Sequence, residues 1–341
     1  MIEPVGKVAE IVGLLGGGGR LLILTHNNPD PDSIAAAFGL RHILSYVTKI
    51  GVKLGYGGTI GRAENRAMVK LLRIPLHPMT GGMASRFKHI AVVDAQPGAK
   101  NVSLTQAVDC DIVIDHHMPL KGMKSKFTDL REHFGSTSTI ISEYIKENEI
   151  PLSARVATAL YYGIKTDTDD LGRGSTDYDF KMIQFLFPNV SLKLLQRIEN
   201  ASIPRDYVRH YSEGVSNAVI YRDVVVSDLG SLTAPEAAAE LADFLLKIEG
   251  MKWSLCFGRI DMRIYFSIRT RRKSAFAGKL AVRMAGKKGS AGGHDCSAGG
   301  FVLLEGVSEP DFQIQRKKLA DKFLKMLARD KTNFTPLIDK D

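Results

Sequence analysis

Over the first half of the chain, short apolar runs that end abruptly in charged residues alternate with longer stretches whose apolar positions recur every three or four residues. The runs are LLILT (21–25), VKLGYG (52–57), HIAVVD (89–94), DIVIDHH (111–117) and the end of ATALYYGIKTD (157–167). Runs of this length suit buried strands, and helices between them suit crossover connections. Residues 1–187 therefore read as an α/β domain built on a mainly parallel sheet. Between the first two runs, Ile34, Ala37, Phe38, Arg41, Leu44 and Val47 fall near a 3.6-residue period, which predicts a helix opening right after Asp32 with Gly51 as its C-cap.

The second half changes pattern. Residues 188–213 have helical spacing broken by Pro204 and are expected to form a helical linker. Beyond them NAVIYRDVVVSDLG and MKWSLCFGRIDMRIYFSIRT alternate as strands do, separated by the helix-like APEAAAELADFLLKIEG, and an amphipathic helix is expected over DFQIQRKKLADKFLKMLARD. Residues 214–341 are thus expected to form a smaller mixed-sheet α/β domain.

Length and composition fit this division: 341 residues suit two domains, and 44% apolar content can fill a core in each. A net charge of +9 favours a polyanionic partner such as nucleic acid, nucleotide or polyphosphate. Three scattered cysteines, Cys110, Cys256 and Cys296, suit reduced thiols in a cytoplasmic protein. The opening MIEPVGKVAEIVGLL lacks the pattern of a signal peptide, and no segment is apolar over 18 residues, so neither secretion nor a membrane partner is expected.

The chemistry gathers where the apolar runs stop. His26, Asp30 and Asp32 follow the first, Asp94 closes the third, Asp115, His116 and His117 close the fourth, and Asp167 follows YYGIKT. Parallel strands bring residues past their C-terminal ends to one edge, where α/β proteins bind ligands. Several carboxylates clustered there repel one another unless cations compensate. Mixed imidazole and carboxylate donors without thiolate favour Mn²⁺ over Mg²⁺, with Zn²⁺, Co²⁺ and Fe²⁺ also compatible.

These residues resemble the DHH phosphoesterases, named after the Asp-His-His that stands here as Asp115, His116 and His117. The resemblance runs through THNNPDPDS, VVD, DHH and GIKTDTDD, then through SIRT and GSAGGHDCSAGG, which are similar to the DHH-associated C-terminal domain of the nanoRNase, pAp-phosphatase and cyclic-dinucleotide branch. It implies two divalent metal ions: His26, Asp30 and Asp94 on one, Asp32, Asp94, His116 and Asp167 on the other, with Asp94 shared. It further implies that His117 faces the scissile phosphate, that Asp115 orients its neighbours, and that Arg269, Gly292, Gly293 and His294 bind the far end of the substrate in a cleft between the domains. Ser290 and Ala291 stand where the family pattern usually has glycine.

The implied activity is hydrolysis of short single-stranded RNA or a small nucleotide such as pAp. Linear or cyclic dinucleotides, polyphosphate and pyrophosphate are alternative substrates, and a catalytically inactive nucleotide-binding protein is the alternative of another class. The resemblance suggests a homodimer. Outside these motifs, the basic run 269–289 suits either a nucleic-acid track or a solvated helix face. Phe276 is expected in the core and Cys296 as a small filler, and GLLGGGGR reads as a plain loop. Asp94→Ala is expected to abolish metal-dependent phosphoester hydrolysis without unfolding the chain; a metal-titrated assay beside a circular dichroism melt checks this, and retained activity refutes the two-metal arrangement.

Overall fold

The computed structural model describes residues 1–341 except 100, 105–109, 273–274, 294–295, 306–307, 330–332 and 339–341. Two compact units make up the chain, Met1–Ser202 and Ile203–Asp341. Residues 188–213 are divided between these units, the helix Leu192–Glu199 lying in the first and the helix that opens at Arg205 in the second.

In the first unit the order is α1 (Gly6–Leu15), β1 (Arg20–Leu24), α2 (Pro31–Val47), β2 (Gly51–Tyr56), α3 (Ala63–Leu72), β3 (Leu76–Pro78), β4 (His89–Val93), β5 (Ile112–Asp115), β6 (Phe127–Leu130), α4 (Thr137–Glu147), α5 (Ala154–Asp167), α6 (Asp177–Leu186) and α7 (Leu192–Glu199). The strands pair in the order β3-β2-β1-β4-β5-β6, all parallel. β1 is apolar throughout because both of its faces are covered. Leu21 and Ile23 enter the core shared with α2, α4 and α5, while Leu22 and Leu24 pack with Val92, Val113 and Cys110 on the other side.

The strand order reverses between β1 and β4: the chain builds outward through β2 and β3, then returns to lay β4 on the opposite flank of β1. Such a reversal of strand order is the place at which open α/β sheets take their ligands, beyond the C-terminal ends of the strands. Two segments depart from the sequence expectation. ATALYYGIKTD belongs to helix α5, with Val156, Ala157, Leu160 and Ile164 buried at helical spacing, and Asp167 is therefore a helix-end residue. Gly51 opens β2 instead of capping α2, which ends at Val47.

The second unit contains α8 (Arg205–Ser216), β7 (Val219–Tyr221), β8 (Val224–Ser231), α9 (Glu236–Leu245), β9 (Trp253–Ile260), β10 (Arg263–Thr270), α10 (Ala277–Ala285), β11 (Gly289–Gly293), β12 (Ser297–Leu303), α11 (Glu309–Met326) and β13 (Thr335–Pro336). Its sheet is mixed. β8 and β9 run parallel across the α9 crossover, and the other pairings are antiparallel. Phe276 is not in the core: it is 48% exposed at φ +52°, where α10 begins, with the Lys279 ammonium over its ring. Among the described residues no helix is long and apolar enough to cross a membrane.

Close packing of α2 against α4 and α5 positions the sheet-end residues, and it depends on Gly39. A Cβ there would lie 2.6 Å from Ile141 Cγ2 and 3.1 Å from a Leu160 methyl. Gly39→Ala should destabilise the fold by roughly 1–3 kcal/mol through overpacking. The check is a urea titration, in which the midpoint falls at unchanged slope.

Candidate metal centre

β1 ends at Leu24, and the polar loop after it is held open by its own hydrogen bonds. Asn28, at φ +57°, donates its N–H to Gly57 O and accepts the Thr59 N–H on Oδ1 (both 2.9 Å). His26 Nδ1–H is directed at Asn27 O (2.9 Å), which turns Nε2 toward Asp30 and Asp94. Asp30 is the N-cap of α2: Oδ1 accepts the Ser33 N–H at 2.9 Å, with Pro31 in the first turn. Its other oxygen lies 3.4 Å from His26 Nε2. The cap and the candidate ligand are thus one carboxylate, each oxygen with its own task.

Asp94 follows β4 and extends the ladder by one bond, N–H to Ile114 O at 2.9 Å. Its φ of +57° is a left-handed conformation that Asp tolerates better than most residues. This turn brings a carboxylate only 3% exposed to the middle of the cluster. Asp94 Oδ2 lies 3.6 Å from His26 Nε2, and Oδ1 lies 3.5 Å from His116 Nε2 and 3.8 Å from His117 Nδ1.

From the end of β5, His116 gives Nδ1–H to Phe134 O (3.1 Å) and turns Nε2 to Asp167 Oδ2 (3.2 Å). Asp115 has a different position. Its Oδ1 accepts from the His117 ring (2.7 Å) and backbone (3.2 Å), and Oδ2 accepts from Gln96 Nε2 (2.8 Å). Gln96 is itself fixed by the Leu120 N–H at 2.7 Å.

The sequence reading missed the partners of Asp32. Thr137 and Ser138 open α4, and their N–H groups reach Asp32 Oδ2 at 2.7 Å and Oδ1 at 2.8 Å. These are two of the donors that every helix N-terminus leaves unsatisfied, directed at a carboxylate 105 residues earlier. The Thr137 hydroxyl also donates to Asp94 Oδ1 at 2.9 Å. The available signal was the hydroxyl-rich GSTST before an apolar helical pattern, a capping signature completed by Ser136 accepting the Thr139 N–H. Gly163 lets α5 close on this point: a Cβ there would meet Ser138 Oγ at 2.4 Å and Asp32 Cα at 3.2 Å, and Asp167 follows one helical turn later.

Three overlapping groups result, with one donor atom per residue all within 4.8 Å: His26, Asp30 and Asp94; Asp32, His116 and Asp167; and Asp94, His116 and His117. Charge balance tests whether cations fit. Burial, then repulsion by Asp32, Asp30, Asp115 and Asp167, pushes Asp94 well above the ordinary carboxylate range; burial and Asp167 push Asp32 up to about 7, against the charge of His116. His26 rises to about 9: burial lowers it, but the charge and hydrogen bond of Asp30 lift it further. His116 likewise rises to about 10, burial being outweighed by Asp167. Protons are held where negative charge is in excess. Divalent cations would replace them, and the nitrogen and oxygen donor set suits Mn²⁺.

In the second unit, Arg269 lies on β10 and its guanidinium is anchored by Asp243 Oδ1 (2.6 Å), Ser267 Oγ (2.7 Å) and Ile268 O (3.0 Å). Gly292 and Gly293 are strand residues: Gly289–Gly293 forms β11, which pairs antiparallel with β12 from Ser297. Close strand approach accounts for part of the glycine content: a Cβ on Gly293 would lie 2.4 Å from Ala298 Cα, and one on Gly300 2.4 Å from Ala291 Cβ. Among the described residues nothing lies within 4 Å of where a Cβ on Gly292 would stand. His294 lies outside the described residues.

Comparison with known proteins agrees with this architecture. The chain is 33% identical over 285 residues to an uncharacterized protein of Methanocaldococcus jannaschii, covering 83% of this chain and 58% of that one. It is 26% identical over 150 residues to a probable manganese-dependent inorganic pyrophosphatase of Enterococcus faecalis, covering 44% of this chain and 48% of the relative. The chain thus spans about half the length of these two relatives. The crystal structure of an exopolyphosphatase-related protein from Bacteroides fragilis has the same fold, with a TM-score of 0.71 at 16% identity over 94% of this chain and 97% of that one. The model of the DHH family's N-terminal domain matches residues 20–164, the stretch that holds β1 through β6 and every residue of the cluster except Asp167.

Proposed function

We infer that the chain is a divalent-metal-dependent phosphoester hydrolase that takes short oligoribonucleotides or a small nucleotide such as pAp. The observation that carries the reading is the sharing of Asp94 and His116 among three donor groups. Adjacent metal positions with a common carboxylate suit in-line displacement at phosphorus. His26, Asp30 and Asp94 would hold one ion, and Asp32, Asp94, His116 and Asp167 the other. Bound there, two divalent ions supply Lewis acidity at phosphoryl oxygens and lower the pKa of water.

The chain's own residues supply order. Hydrogen bonds from α4 keep Asp32 aimed, and the Asn27 and Phe134 carbonyls fix the ring orientation of His26 and His116. The side chain of His117 is 33% exposed, against 15% for His26 and 10% for His116, which makes it the imidazole suited to meet a substrate phosphate. Asp115, held below the ordinary carboxylate range by the His117 hydrogen bond and charge in spite of burial, stays ionised and orients that ring. On the resemblance already described, we assign phosphate binding in the second unit to Arg269 with Gly292, Gly293 and His294. A second reading, pyrophosphate hydrolysis, is favoured by the 150-residue similarity to the probable manganese-dependent pyrophosphatase.

A panel with Mn²⁺ separates these readings: labelled RNA of two to five nucleotides, pAp, cyclic dinucleotides, polyphosphate and pyrophosphate. Turnover of short RNA or pAp with at least tenfold higher kcat/KM than pyrophosphate is the expected result, and the reverse order assigns the second reading. Asp94→Asn, which keeps the left-handed turn accessible, should lose activity on all of them.

The pH dependence has a definite sign. Asp32, His26 and His116 bind protons more tightly folded than unfolded, so the stability they lend the metal-free chain is full only below their ordinary values; it is lost between 3.8 and about 7 for Asp32, and from 6.5 up to about 9 and 10 for His26 and His116. Cations compete with those protons. The rise in Tm on adding Mn²⁺ to chelator-treated protein should therefore be larger at pH 8.5 than at pH 6, as a thermal-shift series would record.

A further inference from the structure

We propose that the groove between α3 and α7 binds the sugar-phosphate backbone of a single-stranded oligonucleotide, at nucleotides beyond the linkage presented to the metal centre. The groove has a volume of about 560 Å³ and is lined by Arg66 and Lys70 from α3, Arg197 and Gln196 from α7, and Asn200 just after it. Among the described residues no acidic side chain lines it. The neighbouring acid, Glu199, is turned to Lys165 on α5.

Position distinguishes this groove from a generic basic surface. α3 is tied to the metal loop, because Asn65 Nδ2 donates to Pro29 O at 3.2 Å, immediately before Asp30. α7 is tied to α5 through the Glu199–Lys165 pair, two residues before Asp167. Both walls are thus anchored to segments that carry candidate ligands, so a strand that leaves the metal centre has cationic side chains beside its path. Arg66 follows Asn65 directly, and Lys70 lies one helical turn further on. Guanidinium and ammonium groups fit phosphate oxygens, while Gln196 and Asn200 offer amides to sugars and bases. The floor of Ala63, Ala67 and Leu71 is apolar. Such a floor accommodates sugar and base faces, which a strand of nucleotides has and an inorganic polyphosphate chain lacks.

The inference deepens the phosphoesterase reading and rests on it for the role of the strand, but binding tests it independently of turnover. Lys70→Glu with Arg197→Glu in the full chain alters two exposed side chains outside the metal cluster. Anisotropy titrations in chelator with a labelled ten-nucleotide RNA and a labelled dinucleotide should show about tenfold or greater loss for the longer strand and none for the dinucleotide. The salt slope should fall by about 1.4, because two phosphate contacts at ~0.7 each are removed. Lys70→Gln with Arg197→Gln should show the same order with a smaller loss.

Unchanged affinity and salt slope for the longer strand in both variants overturn the groove assignment. Equal loss for the dinucleotide overturns it as well, since that places the two cations at the metal centre. If inorganic polyphosphate of matched charge displaces the RNA as well as unlabelled RNA does, and loses affinity equally in the variants, the occupant is a bare phosphate chain and the nucleic-acid assignment fails. Absence of turnover by the unaltered protein on every phosphoester with Mn²⁺ defeats the phosphoesterase reading alone, because the groove is read from binding.

Discussion

Mutual repulsion among carboxylates held out of water is the constraint to which the first unit is built. Asp32, Asp94 and Asp115 are each at most 3% exposed, and Asp30 and Asp167 converge on the same few ångströms. Such a cluster is unfavourable unless each charge meets a donor or a cation. The two imidazoles with raised pKa values and the helix N-terminus are what the chain itself provides. Excess negative charge beyond these is what makes the cluster a place for divalent ions.

Backbone elements do much of this compensation. The N-terminus of α2 is capped by Asp30 and the N-terminus of α4 faces Asp32, so two helices direct their positive ends toward the carboxylates. A second buried acid, Asp179, braces the approach to α4 from behind: it accepts the Gly135 N–H at 3.0 Å and the Thr139 hydroxyl at 2.5 Å. The chain thus spends one carboxylate on holding the loop that holds another. Gly163 and Gly39 belong to the same arrangement, since α2, α4 and α5 could not converge on the site with side chains at those points.

The second unit has another logic. Its sheet is covered on one face by α9, with Leu241 and Leu245, and on the other by α10 and α11, with Phe323 and Leu324. The glycines of β11 and β12 serve close strand pairing at Gly293 and Gly300, whereas Gly292 has no such reason for lacking a side chain. In GSAGGHDCSAGG, therefore, glycine content alone does not separate packing from binding.

Much of the candidate site was legible in the chain itself. Apolar runs that stop at His26, Asp94 and Asp115 imply strands whose ends carry chemistry, because a side-chain pattern records burial wherever it occurs. Asp167 was found for a wrong local reason, as the end of an expected strand, and reaches the cluster from helix α5 instead. Short apolar segments read alike in both conformations until their neighbours are known. The donors to Asp32, the anchoring of Asp115 by Gln96, and the strand order that sets β1 beside β4 were not legible at all. They join residues from 19 to 106 positions apart, and hydrogen bonds over such separations leave no periodic trace in sequence. The sequence by itself determined which residues offer metal-ligating chemistry and that they lie past buried segments. Tertiary structure alone decided which of them meet, since only the reversal of strand order and the close approach of three helices bring those segments to one point.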